Sequence, residues 1–266
     1  MNDYEKYKIN ELLKKMGRED LKCDFLYKRD YNTVLEMLSL PYWNEVKFQS
    51  LLTSTIWLSN AKEIKAILKM PEWKEEKFQP LLTSTIWLSN SEEIKEILGM
   101  PEWNEVKFQP LLTSNIWRSN AKEVKEILEM SEWKEEKFQS LLTSNIWQSN
   151  AKEIKAILKM PEWKEEKYKH LLIPSIFCAS TKNIRDNIEL FKEYNIDNYI
   201  VNSCLRRNVK QQRVLLEYMI ENNIPLFEEK KDGEYRLNTM ISATNSVLKK
   251  KYGIDIKSIE LKWRTR

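Results

Sequence analysis

Lys65, Lys95, Lys125, Lys155 and Arg185 recur at intervals of 30 residues. Cations held at a fixed spacing can follow the charges of a phosphate backbone, so these five form a candidate phosphate ladder. Lys62, Lys122, Lys152 and Lys182 lie three residues before four of them, on the same face wherever the segment is helical. Two other columns change between copies of one unit. Residues 55, 85, 115 and 145 read Thr, Thr, Asn, Asn, and residues 58, 88, 118 and 148 read Leu, Leu, Arg, Gln. Arg, Asn and Gln can make paired hydrogen bonds to base edges, and modular readers place such side chains at fixed repeat positions. Asn115, Arg118, Asn145 and Gln148 are therefore the candidate selectivity positions. The alternative readings are drift where packing makes no demand, and ordinary Lys–Glu pairing on a solvated face.

Catalytic chemistry finds no comparable set. The single histidine, His170, stands where other units carry Pro or Ser and reads as a drifted surface residue. Catalysis or metal binding would require partners for it. There is no Cys-x-x-Cys, no glycine-rich phosphate loop and no nucleophile elbow. Glu63, Glu72 and Glu75 recur in every unit, as salt-bridged helix faces do and a unique acid–base pair does not. The expectation is a chain that is not an enzyme and takes neither cofactor nor metal.

The elements that must position these residues are internal repeats. Leu51–Pro80 and Leu81–Pro110 differ at 6 of 30 positions, and Leu111–Ser140 and Leu141–His170 continue the series. A period of this length marks a solenoid or array. Degenerate units flank the four: residues 21–50 align Leu26, Asp30, Val34 and Trp43 with Ile56, Asn60, Ile64 and Trp73, and residues 171–200 keep Leu171, Leu172, Ile176 and Ile184. A weaker unit follows to residue 226. Worn terminal units suit repeats that must turn one face to water. The expected organisation is an N-terminal cap and degenerate repeat over 1–50, four near-identical repeats over 51–170, diverged repeats over 171–226 and a basic cap over 227–266.

Within a unit, Phe48, Leu51, Leu52, Thr55 and Ile56 fall at helical spacing, as do Ala61, Ile64, Ile67 and Leu68. Asn60 is a natural N-cap, and Glu63 completes a capping-box pattern. The second helix should close near Met70, because Pro71 disfavours helical geometry in the residue before it. The "PEWKEEK" segment can add a short turn starting at Pro71. The reading is all-α: an α-solenoid of about six to seven helix-turn-helix repeats. Trp57, Trp87, Trp117 and Trp147 form one ladder and Trp73, Trp103, Trp133 and Trp163 another. Packing between neighbouring units is the preferred reading over exposed stacking platforms for bases. In the tail, Asp232-Gly233 signals a turn and a helix is expected from Asn238 to Tyr252, closed by Gly253.

Charge tempers the ladder. The chain carries a formal +4. Residues 51–170 hold 18 Lys and Arg against 19 Asp and Glu, whereas residues 171–266 hold 17 against 12. The densest basic clusters are "CLRRNVKQQR" and "KKKYGIDIK". Three distant cysteines, Cys23, Cys178 and Cys204, read as free thiols of a reducing compartment. No run approaches the roughly 20 apolar residues of a membrane span, and the first residues lack the apolar core of a secretory signal. A soluble, cytoplasmic protein with no membrane partner is expected.

The diverged unit "HLLIPSIFCASTKNIRDNIELFKEYNI" resembles a repeat of the mitochondrial transcription termination factor family, with Leu-Leu near Pro and Ser and then a helix with a Leu-x-x-x-Gly-Ile-like close. Here the close is "LFKEYNI", with Asn195 where that family often has Gly. The array units share "PLLTSTIW" and "EIKAIL" but carry "MPEW" at the close. The resemblance spans most of residues 21–226 and implies a curved two-helix solenoid with a basic concave groove for nucleic acid. The neutral array departs from that groove. Acids among the N-terminal bases are unlike a transit peptide, so a mitochondrial setting is not implied. Two functional expectations follow: a nucleic-acid binder using the ladder, or a protein-interaction scaffold using the repeated Trp- and Glu-bearing face.

Overall fold

The computed structural model describes residues 1–230 and 233–264; Asp232 of the expected turn and the last two residues of the expected basic cap lie outside the described residues. The chain is mostly helical, with one two-stranded antiparallel sheet, Phe227–Glu229 against Tyr235–Leu237, in which Glu228 faces Arg236. No helix among the described residues is long and apolar enough to cross a membrane. The chain forms two compact units, Met1–Ser131 with Leu142–Ala151, and Glu132–Leu141 with the chain from Lys152 onward.

The second expected helix of each repeat forms as an eight-residue α-helix: Ala61–Leu68, Ser91–Leu98, Ala121–Leu128 and Ala151–Leu158. Asn60, Asn90 and Asn120 accept the amide three residues on, at 2.9–3.0 Å. Ile64, Ile67 and Leu68 and their counterparts are buried. Pro71 begins a short 3-10 helix, Pro71–Lys74.

The first expected helix does not form as one piece. Its apolar stripe is divided between two short elements, such as Glu76–Leu81 and Ser84–Leu88, both 3-10 helices. Between them Thr83 is extended, with φ −128° and ψ 164°. The Ser-Thr/Asn-Ile run is poor helix-forming material, and Thr83 Oγ1 contacts Thr85 Oγ1 at 2.7 Å, a local bond that competes with helix formation. Repeats with Pro80 or Pro110 carry a 3-10 helix before this break, whereas those with Ser50, Ser140 or His170 carry a four-residue α-turn.

In the first unit, neighbouring repeats pack in sequence order. Tyr31–Leu38 meets Ala61–Leu68, which meets Ser91–Leu98, which meets Ala121–Leu128. The 3-10 helices Ser54–Leu58, Ser84–Leu88, Ser114–Arg118 and Ser144–Gln148 pack likewise. The first tryptophan ladder lies inside this stack. Trp57 donates its indole N–H to the carbonyl of Leu21 (3.0 Å), and Trp87, Trp117 and Trp147 donate to Leu51, Leu81 and Leu111, each at 2.8 Å. Every donor–acceptor pair is 36 residues apart, so each indole bonds the preceding repeat. Trp73, Trp103 and Trp163 instead donate within their own repeat, to Ile67, Ile97 and Ile157.

The capping box is also redistributed. Glu63 does not return to Asn60; its carboxylate accepts the amide of Ser91, the first residue of the next repeat's helix, at 2.8 Å. Glu93 accepts from Ala121 at 2.6 Å, Glu123 from Ala151, and, in the second unit, Glu153 from Thr181. The helices that begin at Ser91, Ala121 and Thr181 are thus each capped by their own Asn or Ser and by a Glu of the repeat before. Anionic acceptors suit that position because the helix N-terminus is the positive end of the backbone dipole.

In the tail, the expected Asn238–Tyr252 helix is two helices, Thr239–Ser242 and Asn245–Tyr252, separated by extended Ala243 and Thr244. Gly253 closes the second in the left-handed region, φ +70°.

Candidate nucleic-acid interface

The ladder cations stand on the eight-residue helices and on their 13-residue counterpart, Thr181–Glu193. Lys65, Lys95 and Lys125 belong to the first unit, Lys155 and Arg185 to the second. Lys95, Lys125, Lys155 and Arg185 are exposed and Lys65 is half-buried. Three have carboxylate partners: Lys65 with Glu36 of the preceding repeat at 2.9 Å, Lys125 with Glu129 at 3.9 Å, and Arg185 Nε with Glu162 at 3.8 Å. Glu162 comes from the recurring Pro-Glu-Trp segment. Its counterpart Glu72 lines a groove of about 370 Å³ with Lys95, and Glu72 Oε2 is buried there without a hydrogen-bond partner. Another counterpart, Glu132, pairs with Lys159 at 3.2 Å. The positive ladder is therefore accompanied by acids, in keeping with the neutral charge of the array.

The selectivity candidates all lie in the first unit, on the mutually packed 3-10 helices. Arg118 and Gln148 are exposed, in the same column as Leu58 and Leu88, which are 52% and 56% exposed. Asn115 and Asn145 are half-buried. In the first two repeats that column holds Thr55 and Thr85, whose hydroxyls donate to Ser84 and Ser114 carbonyls of the next repeat at 3.2 Å. Gln148 donates to Asn145 Oδ1 at 3.4 Å. The pairing of columns 55 and 58 on one face is thus present in a 3-10 element, where residues three apart eclipse.

A second cation column escapes a search by charge alone. Lys47, Lys77, Lys107, Lys137 and Lys167 each lie over the aromatic ring of the following residue at 4.6–4.9 Å. Each also pairs with the glutamate two residues before, at 2.8–3.5 Å. The Glu-x-Lys-aromatic pattern was visible in the sequence, but nothing in it distinguishes a lysine covering a ring from one in open solvent. Lys77 gains a further anchor in Asn104 Oδ1 at 3.1 Å, and Lys167 gains an anionic one, Asp197 Oδ2 at 2.6 Å, which also accepts from the Tyr168 hydroxyl at 2.7 Å. Burial pushes the Tyr168 phenol up to about 12, with the Asp197 bond adding to it. Burial alone would raise the Asp197 carboxyl, but the bonds from Lys167 and Tyr168 outweigh it and hold the group low.

His170 is exposed, and its Nε2 donates to the Ile200 carbonyl at 2.9 Å. Among the described residues no group of three His, Cys, Asp or Glu side chains is placed to hold a metal ion. The first tryptophan ladder offers no exposed platform: Trp57, Trp87, Trp117 and Trp147 are at most 3% exposed. No family model, curated protein or solved structure matches the chain.

Proposed function

We propose that the chain is a non-enzymatic binding protein whose repeats form a solenoid, and that it binds nucleic acid along them. The observation that carries this reading is a contrast between columns: the apolar columns that repeat are buried, while Arg118 and Gln148 replace exposed Leu58 and Leu88 on stacked elements. Polar variation at an exposed, periodic column is what a modular reader requires. Lys65, Lys95, Lys125, Lys155 and Arg185 would hold phosphates, exchanging intramolecular carboxylates for them. Asn115, Arg118, Asn145 and Gln148 would set base preference. A cytoplasmic location and kinship with the mitochondrial transcription termination factor repeats belong to this proposal.

A scaffold for a protein partner is the second reading. It is supported by the carboxylates already paired to Lys65, Lys125 and Arg185, and by exposed Val46, Leu58, Leu88 and Val106. Fluorescence anisotropy of labelled single-stranded RNA, single-stranded DNA and duplex DNA separates the two. The nucleic-acid reading expects binding to at least one of them, weakening steeply between about 50 and 200 mM salt. It also expects Lys125→Glu with Lys155→Glu to weaken binding. Salt-insensitive binding, or none at micromolar protein, would transfer the assignment to the scaffold.

A further inference from the structure

One of the two densest basic clusters of the sequence has no part in the ladder. Arg206 and Arg207 follow the short helix Asn202–Leu205 and precede Val209–Glu221. Both line a cavity of about 540 Å³ within the second unit. The facing wall is the extended break at Ala243 and Thr244 that splits the expected tail helix. A volume of this size suits a small ligand.

The cavity differs from the ladder in its charge balance. No carboxylate lines it, and neither arginine forms an ion pair among the described residues. Arg206 is exposed at its mouth, and Arg207 Nη1 is buried with no hydrogen-bond partner. An uncompensated buried cation is costly, and here burial pulls the Arg207 guanidinium below its usual range. Two helices also begin on the lining: Asn208 caps Val209–Glu221 and Thr244 caps Asn245–Tyr252. Their positive ends add to the field of the arginines. The Thr244 hydroxyl accepts from Val247 and keeps its own proton to donate.

The walls are braced from behind. Asn183 Nδ2 donates to the carbonyls of Leu205 (2.7 Å) and Arg207 (2.9 Å), and Asn187 Nδ2 donates to the latter at 2.9 Å. Gln212 Nε2 donates to the Ile241 carbonyl at 3.2 Å, and Asn245 Nδ2 to Gln211 Oε1 at 3.0 Å, tying one wall to the other. The arginine pair is held by its backbone, with the charged ends left to a ligand.

We propose that this cavity binds a phosphate monoester, its dianion gripped by Arg206 and Arg207 and contacted by the Thr244 hydroxyl. Two planar guanidinium groups match the oxygens of a terminal phosphate. The group can belong to a small phosphorylated molecule or to the 5′ end of an oligonucleotide, and the inference stands whether or not the lysine ladder binds nucleic acid.

Cys178 lines the same cavity and supplies the readout. In the full chain carrying Cys23→Ser, the rate of Cys178 modification by a maleimide is measured with inorganic phosphate, or with chloride at matched ionic strength. Cys204 is buried, and its thiol is pushed up to about 11 by that burial, so it contributes little. Phosphate is expected to slow Cys178 severalfold where chloride does not. Arg206→Glu, at an exposed position, should weaken that protection at least about tenfold, on the scale of one charge-assisted hydrogen bond. Arg207→Gln should abolish it, with circular dichroism checking the fold, while Lys125→Glu with Lys155→Glu should leave it intact. A 5′-phosphorylated oligonucleotide binding more tightly than its 5′-hydroxyl twin would identify end recognition; protection by phosphate with equal oligonucleotide affinities would identify a small ligand. Equal Cys178 rates with and without phosphate, together with equal oligonucleotide affinities, would overturn the proposal, as would protection that survives Arg206→Glu undiminished.

Discussion

A buried indole N–H and a carboxylate aimed at the next helix are two of the side-chain devices that tie repeat to repeat. They divide the work by chemistry: the indole satisfies a carbonyl in the apolar interior, and the glutamate satisfies a helix-start amide at the surface. Trp117→Phe keeps most of the buried ring but removes one of the two donors to the Leu81 carbonyl, leaving the Thr83 amide at 2.9 Å. Loss of one net hydrogen bond costs about 0.5–1.5 kcal/mol, so the urea midpoint should fall accordingly. Glu93→Ala removes the acceptor of the Ala121 amide and should cost about 1 kcal/mol, as loss of a cap does. Glu93→Gln retains an oxygen acceptor and should cost less. Arg118→Ala, at an exposed position with no structural bond to lose, should stay within about 0.5 kcal/mol. If Trp117→Phe proved as mild as Arg118→Ala, the indole bond would not be the inter-repeat tie it is taken for.

At the scale of the element, the eight-residue helices were legible because three independent signals coincide in them: an Asn cap, an apolar stripe and a proline stop. The segment before them carried the stripe alone. Phe78, Leu81, Leu82 and Ile86 reach the core equally well from two 3-10 turns broken at Thr83, so spacing could not separate one helix from two pieces. The Arg206–Arg207 cluster was legible as charge, but its facing wall lies more than 35 residues downstream and carries no motif, so the cavity was not. The break itself makes a test. Ser140 has φ −65° and ends an α-turn where the equivalent positions are Pro80 and Pro110. That angle is the one a proline ring imposes. Ser140→Pro gains about 0.4–1 kcal/mol through the unfolded chain against the loss of the N–H that Ser140 donates within the turn, so the melting temperature should hold within a few degrees. A larger fall would mean that the α-turn, unlike the 3-10 form beside it, needs the Ser140 amide.

Across the whole molecule, the perturbed acids and bases predict how stability follows pH. Hydrogen bonds from the Ser91 amide and hydroxyl hold the Glu63 carboxyl low, Thr33 does the same for Asp30, and Lys167 and Tyr168 overcome burial at Asp197. A carboxyl whose folded pKa lies below its unfolded one contributes stability above the unfolded value and loses it as pH falls through the folded value. The acid limb should therefore begin near pH 4–5, about where free carboxyls titrate. At the other end, Tyr168 is raised to about 12 and Lys167 is raised by the Asp197 bond, so both hold their protons longer folded than unfolded. Their contribution is complete below the unfolded values and declines from about pH 10 upward. Urea midpoints should accordingly form a plateau through neutrality with losses at both ends. Tyr168→Phe should lower the plateau and make the alkaline limb shallower, whereas Glu63→Gln should make the acid limb shallower and leave the alkaline limb unchanged. A steep change within the plateau would contradict this assignment.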